Sequence, residues 1–232
     1  MFDFIDIPVL QFLNGLAGRY PVFEAAWQTL ADWRFMRCAP IVAFLAWAWI
    51  ARAQTGARMA IVTGLIGLCA VNFATQLLKH AVQLHPRPFA VADQLHLVLP
   101  RGITTNWGLW SSFPSDTTAL HMALVAIIWS ISRRAGMAAF AWVALFIALP
   151  RVFFLYHYPS DVVAGALIGL AFVWAAQRLW AVSVLAAATL RCEREWPQAF
   201  YPIALIFACD VMHSFDSIER VFIYAKKLVH AT

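Results

Sequence analysis

The chain alternates between long apolar runs and short polar segments. A helix that crosses a bilayer needs about 20 apolar residues, and about 17 is the lower limit. Five runs meet or approach this length, and they cover residues 36–52, 59–78, 117–132, 136–154 and 161–190. The last run is long enough to cross and then continue beyond the interface. This pattern predicts an all-α, polytopic membrane bundle with five to six transmembrane helices.

The two ends of the chain follow the pattern less closely. Residues 1–33 hold two amphipathic pieces, which predict an N-terminal amphipathic or first-span segment. The apolar piece 199–213 is too short for a confident span and is typical of an interfacial or re-entrant helix. We therefore expect one domain, with a membrane core over 34–182 and a helical, partly interfacial C-terminal extension over 183–232.

The composition supports a membrane protein. Hydrophobic residues make up 62% of the chain and charged residues only 12%, with a mean hydropathy of +0.71. Soluble domains of this size carry about 25% charged residues. The net charge is +5, but there is no basic tract of the kind that binds nucleic acid, so we expect no nucleic-acid partner. The four cysteines form no Cys-x-x-Cys pair, and we predict neither a metal site nor a disulfide.

The basic residues predict an orientation in the membrane. Three basic groups fall on one face if the five runs alternate, and positive loops face the cytoplasm. Residues 79–116 and 151–160 then lie on the outer face. Arg34 and Arg37, near that outer face, count against this scheme. The three basic groups are Arg52 with Arg58, Arg133 with Arg134, and Arg191 and Arg194 with the pair Lys226 and Lys227.

Both outer segments carry side chains suited to binding phosphate. Three cations, Lys79, Arg87 and Arg151, have the charge and the donor geometry to surround a dianion. Ser115 opens an apolar helix, and helix N-termini bind anions through their unpaired N–H groups. His157 precedes Asp161 by four residues, so a carboxylate is available to hold its imidazole in one tautomer while the other nitrogen attacks phosphorus.

Each of these residues alone has an ordinary explanation. An outer-face arginine usually contacts lipid headgroups, a Pro-Ser pair usually caps a helix, and an interfacial histidine is usually structural. Asp161 also suits the positive end of its helix dipole. The combination, rather than any single residue, favours a phosphate-handling site.

The three pieces together resemble the tripartite signature of the type 2 phosphatidic acid phosphatase family of membrane lipid phosphatases. That signature reads Lys-x6-Arg-Pro, then Pro-Ser-Gly-His, then Ser-Arg-x5-His-x3-Asp. The third block matches in spacing at Arg151, His157 and Asp161, although Pro150 replaces its serine. The first block matches in type, but seven residues separate its lysine from its arginine, and His80 occupies the expected lysine position.

The second block departs further from the family pattern. Pro114 and Ser115 match, but Asp116 replaces glycine and Thr117 replaces histidine. The Pro-Ser-Asp form is similar to that of undecaprenyl diphosphate phosphatases of this family, which typically read Pro-Ser-Asp-His. The family histidine protonates the leaving group, so its loss puts ordinary monoester chemistry in doubt. Asp116 and His121, which lies one helical turn beyond Thr117, are candidate substitutes.

The resemblance implies a mechanism without metal or cofactor. His157 would form a phosphohistidine and Asp161 would orient it, while Lys79, Arg87, Ser115 and Arg151 would bind the phosphoryl oxygens. We expect a lipid phosphatase acting on a lipid mono- or diphosphate at the periplasmic face of a bacterial-type cytoplasmic (inner) membrane. Its substrate would be a prenyl diphosphate or a phospholipid-derived phosphate. A lipid phosphotransferase and a non-catalytic lipid-phosphate-binding or transport-like protein remain alternatives, and the oligomeric state is not predicted.

Overall fold

The fold is helical throughout the part of the chain that the structure describes. The structure is a computed structural model, and it describes residues 3–52, 56–81, 86–100, 103 and 111–213. These residues contain ten α-helices and no strand, so the predicted all-α class is confirmed. The helices are α1 (Asp3–Asn14), α2 (Pro21–Asp32), α3 (Arg34–Ala51), α4 (Ala57–Ala81), α5 (Asp116–Ile131), α6 (Arg133–Val143), α7 (Leu149–Phe153), α8 (Pro159–Ala176), α9 (Trp180–Glu195) and α10 (Pro197–Met212).

Local sequence explains several helix boundaries. Proline occupies the first position of α2, α8 and α10, where its missing N–H removes no helical hydrogen bond. Ser132 ends α5 and also caps α6, because its Oγ accepts from the Ala135 N–H at 3.4 Å. A π-helical turn, Ala144–Ala148, joins α6 to α7, so these segments form one continuous rod.

Several helices in the described part of the chain are long and apolar enough to cross a membrane. Three described segments have the required length and hydropathy, namely Ala57–Lys79, Arg133–Phe153 and Pro159–Ala176. The bent pair Pro21–Asp32 and Phe35–Ala51, with an angle of 53°, makes a fourth if it is counted as one span. The multi-pass membrane fold is thus supported, but α5 and α10 have only 16 residues each, which is about 24 Å of helix.

The predicted run 161–190 is two helices rather than one. Helix α8 ends at Ala176, and α9 begins at Trp180. At the break, the Gln177 side chain donates to Ser130 Oγ at 3.1 Å, which ties the end of α8 to the last turn of α5. The sequence predicted a run that crosses and then continues beyond the interface, and the structure divides this run between α8 and α9. Hydropathy alone does not report such a break between two apolar helices.

Helix α5 is the centre of the bundle. Ten of its residues are buried, and it packs against α4, α6 and α8. Gly165 and Gly169 of α8 lie against the backbone of α5, and a Cβ at either position would overlap a carbonyl oxygen of α5. Small residues allow this approach between membrane helices, where dispersion contacts rather than the hydrophobic effect stabilise packing.

The C-terminal helices are attached to the core by a polar contact. Arg58 at the start of α4 forms an ion pair with Glu193 of α9 at 3.0 Å, and the Tyr201 hydroxyl of α10 donates to the same carboxylate at 2.8 Å. The extension is helical up to residue 212, whereas residues 214–232 lie outside the described part of the chain. The predicted boundaries of the three parts stay a prediction.

Candidate active site

Four chain segments meet at one end of the bundle and carry the predicted site residues. They are the end of α4, the stretch after residue 86, the start of α5, and the stretch from α7 to the first turn of α8. Contacts among these segments, given below, bring the six motif side chains together. Each of the six is at most 9% exposed, and they are Lys79, Arg87, Ser115, Arg151, His157 and Asp161. Such burial strengthens every electrostatic interaction inside the site.

A tight turn after α7 places His157. The carbonyl of Arg151 accepts the N–H groups of both Tyr156 and His157, each at 3.0 Å. Leu155 takes a left-handed backbone conformation with a φ of 59°, which reverses the chain. Its carbonyl accepts the Phe89 N–H at 3.0 Å, so the segment after Arg87 fastens this turn. Arg87 adds a second tie, because its Nη1 donates to the Tyr156 carbonyl at 3.1 Å.

The tautomer of His157 follows from its backbone partner. His157 Nδ1 lies 2.7 Å from the carbonyl oxygen of Ser112. A carbonyl only accepts, so Nδ1 carries the proton and Nε2 of the neutral ring has the lone pair. The Asp161 carboxylate is 3.8 Å from Nδ1 and accepts the Tyr158 N–H at 2.9 Å. The predicted orienting carboxylate is thus nearby, but the Nδ1–H donates its direct hydrogen bond to the Ser112 carbonyl, a partner that the sequence motifs did not indicate.

Burial also sets the charge state of His157. The side chain is 2% exposed, and this desolvation lowers the pKa of His157 below its ordinary value. The neighbouring Asp161 carboxylate opposes the effect, and the positive charge of Arg87 adds to it. The net pKa is lowered, which favours the neutral imidazole that a nucleophilic role requires.

The start of α5 supplies a hydroxyl and a carboxylate. Ser115 is the N-cap of α5, and its Oγ lies 3.0 Å from Thr118 Oγ1. The Ser115 N–H donates to the Asp161 carbonyl at 3.1 Å, which joins α5 to α8. Asp116 forms an ion pair with Lys79 and accepts the Thr117 N–H at 2.7 Å. A carboxylate held in this way is ionised, and it occupies the Lys79 ammonium group.

The Arg151 guanidinium is positioned by contacts with the C-terminal end of helix α2. Its Nη2 donates to the Ala31 carbonyl at 3.2 Å, and its Nη1 lies 3.8 Å from the Asp32 carboxylate. The guanidinium also lies over the Tyr156 ring, 5.4 Å from the ring centroid. Asp32 is a partner that the sequence did not predict, because it is 119 positions from Arg151 and matches no motif.

The candidate acids occupy different environments. His121 is 1% exposed, with Nδ1 at 2.7 Å from the Thr117 carbonyl and Nε2 at 3.1 Å from Cys38 Sγ. The partners of both ring nitrogens are therefore outside the six motif side chains. Thr117 is partly exposed and its Oγ1 lies 3.5 Å from Asp116 Oδ1. Within the described residues, no group of three or more His, Cys, Asp or Glu side chains is arranged to hold a metal ion.

Comparison with known proteins places this site in a family. The PAP2 superfamily matches residues 60–185, which is more than half of the chain and includes every predicted site residue. The bacitracin transport permease protein BcrC of Bacillus licheniformis is 24% identical over 172 residues, covering 73% of this chain and 77% of that protein. No solved structure matches the chain. With the apolar helices, these similarities support a multi-pass membrane lipid phosphatase, and the chain belongs to the PAP2 superfamily.

Proposed function

We propose that the protein hydrolyses a lipid diphosphate, with a prenyl diphosphate as the preferred class, through a phosphohistidine formed on His157. The arrangement of His157 carries the proposal: its Nδ1–H is fixed by the Ser112 carbonyl at 2.7 Å, which leaves Nε2 as a nucleophile. A purely structural role for His157 would not explain why three cations, Lys79, Arg87 and Arg151, are buried at the same end of the bundle.

The proposed reaction has two displacement steps. His157 Nε2 attacks the terminal phosphorus, and the bond from phosphorus to the leaving oxygen breaks with its electron pair on that oxygen. Lys79, Arg87 and Arg151, together with the N-terminus of α5 at Ser115, stabilise the charge on the transferring group. Water then attacks the phosphohistidine, the N–P bond breaks with its electrons returning to Nε2, and inorganic phosphate is released.

The lack of a histidine at position 117 supports a diphosphate substrate. A monoester expels an alkoxide whose conjugate acid has a pKa of about 16 if it resembles water, so it needs a proton as it leaves. A diphosphate expels a phosphate whose second pKa is about 6, so it leaves readily without one. Asp116 is ion-paired with Lys79, and His121 is engaged by Cys38 and Thr117, so neither is placed to replace the missing acid.

The site is proposed to face the periplasm of a bacterial-type inner membrane. Lys79 is near the end of α4, whereas Arg58 is at its start, about 30 Å away along the helix. Ser115 opens α5, and the exposed Arg133 and Arg134 follow its other end. Arg58, Arg133 and Arg134 therefore lie at the end opposite the site, and this end would be cytoplasmic under the positive-inside rule.

One observation favours a second candidate. The relative from Bacillus licheniformis is named a bacitracin transport permease protein, which suggests a transport-like role for this chain. Binding or transport of a lipid phosphate would use the three cations but would not require a nucleophile at His157. A phosphotransferase would use His157 and pass the phosphoryl group to an acceptor other than water, so analysis of products with and without an acceptor lipid separates it from a hydrolase.

The decisive test compares a matched prenyl monophosphate and diphosphate. Phosphate release by the purified protein should be faster from the diphosphate. The Thr117→His variant should accelerate the monophosphate reaction more than the diphosphate reaction, because general acid help is worth roughly 10²- to 10⁴-fold where the leaving group needs it. The control is Thr189→His on α9, remote from the site.

Two results would contradict the proposal. A wild-type preference for the monophosphate, with no gain in Thr117→His, would mean that another group supplies the proton. Binding of lipid phosphates without release of phosphate from any of them would support the transport-like role instead.

A further inference from the structure

The face of helix α1 that packs against the rest of the protein carries two buried polar side chains, Asp6 and Asn14. Asp6, Leu10 and Asn14 are spaced four residues apart and share one face, and they are 4%, 1% and 7% exposed. On the outer face, Phe4 and Phe12 are 76% and 73% exposed. Helix α1 precedes the segment that matches the superfamily, and no predicted site residue lies on it. The buried carboxylate of Asp6 thus has no role in the reaction described above.

Asp6 binds the first turn of α8. Its Oδ1 accepts the Ser160 N–H at 2.9 Å, and its Oδ2 accepts the Ser160 hydroxyl at 2.6 Å. Ser160 is the second residue of α8, so its N–H has no partner within the helix. A carboxylate at this position also interacts favourably with the positive end of the helix dipole. Both oxygens of a buried charge are thus used on a residue 154 positions away in sequence.

Asn14 makes a similar two-point contact with the other outer segment. Its Nδ2 donates to the Val98 carbonyl at 2.6 Å, and its Oδ1 accepts the Val98 N–H at 2.8 Å. Val98 belongs to the stretch that follows Arg87. Helix α1 is therefore hydrogen-bonded to both of the outer segments that carry site residues.

Asp6 binds the same first turn of α8 that contacts His157, the proposed nucleophile. Ser160 directly precedes Asp161, whose Oδ2 accepts the Tyr158 N–H at 2.9 Å and lies 3.8 Å from His157 Nδ1. The Asp161 carbonyl accepts the Ser115 N–H at 3.1 Å. A shift of the first turn of α8 would therefore disturb the contacts that place both His157 and Ser115.

We propose that Asp6 is a positioning residue for the phosphoryl transfer, fixing the first turn of α8 so that His157 and Ser115 stay aligned on the substrate. The proposal rests on the proposed function. Asp6 acts through hydrogen bonds to Ser160 and does not contact the reacting atoms. Because misplacement by about 1 Å costs roughly 100-fold in rate, loosening this turn should lower kcat far more than it changes KM.

Three variants test the hydrogen bonds separately from the charge. Asp6→Ala removes both bonds and should lower kcat roughly 10- to 100-fold. Asp6→Asn should stay close to wild type, because the amide oxygen accepts the Ser160 N–H and the amide nitrogen donates to its hydroxyl. Ser160→Ala removes one bond and should fall between them. Gln11→Ala, on the exposed face of α1, is the matched control and should leave kcat unchanged.

Hydrogen exchange of the backbone amides in residues 157–165 gives a readout that needs no turnover. Exchange should be faster in Asp6→Ala and unchanged in Asp6→Asn. If the wild-type protein releases no phosphate, the proposed function is wrong. Hydrogen exchange still tests whether Asp6 stabilises the first turn of α8. The proposal would be overturned if Asp6→Ala had the same kcat and the same exchange rates as the wild type. It would also be overturned if Asp6→Asn lost as much activity as Asp6→Ala. If Asp6→Ala does not fold, the test falls to Ser160→Ala. The proposal would then be overturned if Ser160→Ala had the same kcat and exchange rates as the wild type.

Discussion

At the residue scale, the reactivity assigned to His157 depends on one backbone carbonyl. Ser112 O fixes the proton on Nδ1 at 2.7 Å, and the Asp161 carboxylate lies farther away at 3.8 Å. Orientation of the ring is thus shared between the chain that enters α5 and the first turn of α8. For this reason we expect substitution of Asp161 to be less damaging than substitution of His157.

The pH dependence should reflect the lowered pKa of His157. In the proposed mechanism the neutral ring is the nucleophile, and burial lowers the pKa of this histidine below its ordinary value of about 6.5. As the pH falls, activity should therefore persist past about 6.5 and drop only when the lowered pKa is crossed. The measurement is kcat/KM for a lipid diphosphate, corrected for the separately titrated ionisation of the substrate. An acid limb at or above pH 6.5 would contradict this assignment.

Sequence spacing predicted the motif residues but not their supporting partners. Arg151, His157 and Asp161 follow a fixed local spacing, so a motif identifies them. Ser112 acts through its main-chain carbonyl, which any residue would supply, and Asp6 reaches Ser160 across 154 positions. Such contacts depend on how distant helices pack, and a single sequence carries no local signal for them.

At the scale of elements, the close contact between α5 and α8 should be sensitive to added volume. Gly165→Ala would place a methyl group on the Ser115 carbonyl oxygen, so α5 and its N-cap must shift. We expect a loss of roughly 1–3 kcal/mol in stability, together with lower activity. Thermal unfolding in detergent and kcat measure the two effects. Gly15→Ala is the control, since its nearest contact would be an ordinary 3.4 Å, and equal behaviour of the two variants would refute this explanation.

Apolar runs predicted most helices but not how many cross the membrane. The runs 36–52 and 59–78 correspond closely to α3 and α4, because lipid-facing and core-facing positions are both apolar. The run 117–132 is apolar because protein surrounds α5, ten of whose residues are buried. Hydropathy does not distinguish burial in protein from burial in lipid. Hydropathy therefore locates the apolar helices but does not report the break between α8 and α9.

At the scale of the whole molecule, the ends of the bundle differ in charge and chemistry, which makes the orientation testable. In a background lacking the four native cysteines, the Gln94→Cys variant should react with a membrane-impermeant maleimide added to intact cells. The Arg134→Cys variant should react only after the cells are opened. Both positions are exposed, so accessibility within the protein does not bias the comparison. The opposite pattern would place the site in the cytoplasm.

The most direct test of the account is to trap the phosphoryl group on the protein. Purified wild-type protein is mixed with a lipid diphosphate labelled in its terminal phosphate, quenched in alkali during turnover, digested and mapped. If His157 is the nucleophile, labelled phosphate should be found on the peptide that contains it. His157→Ala should show neither label nor phosphate release, and Asp161→Asn should show both at roughly 10- to 100-fold lower rates, a change of about 1.4–2.7 kcal/mol in barrier. Full phosphate release by His157→Ala would rule out a phosphohistidine intermediate at this position.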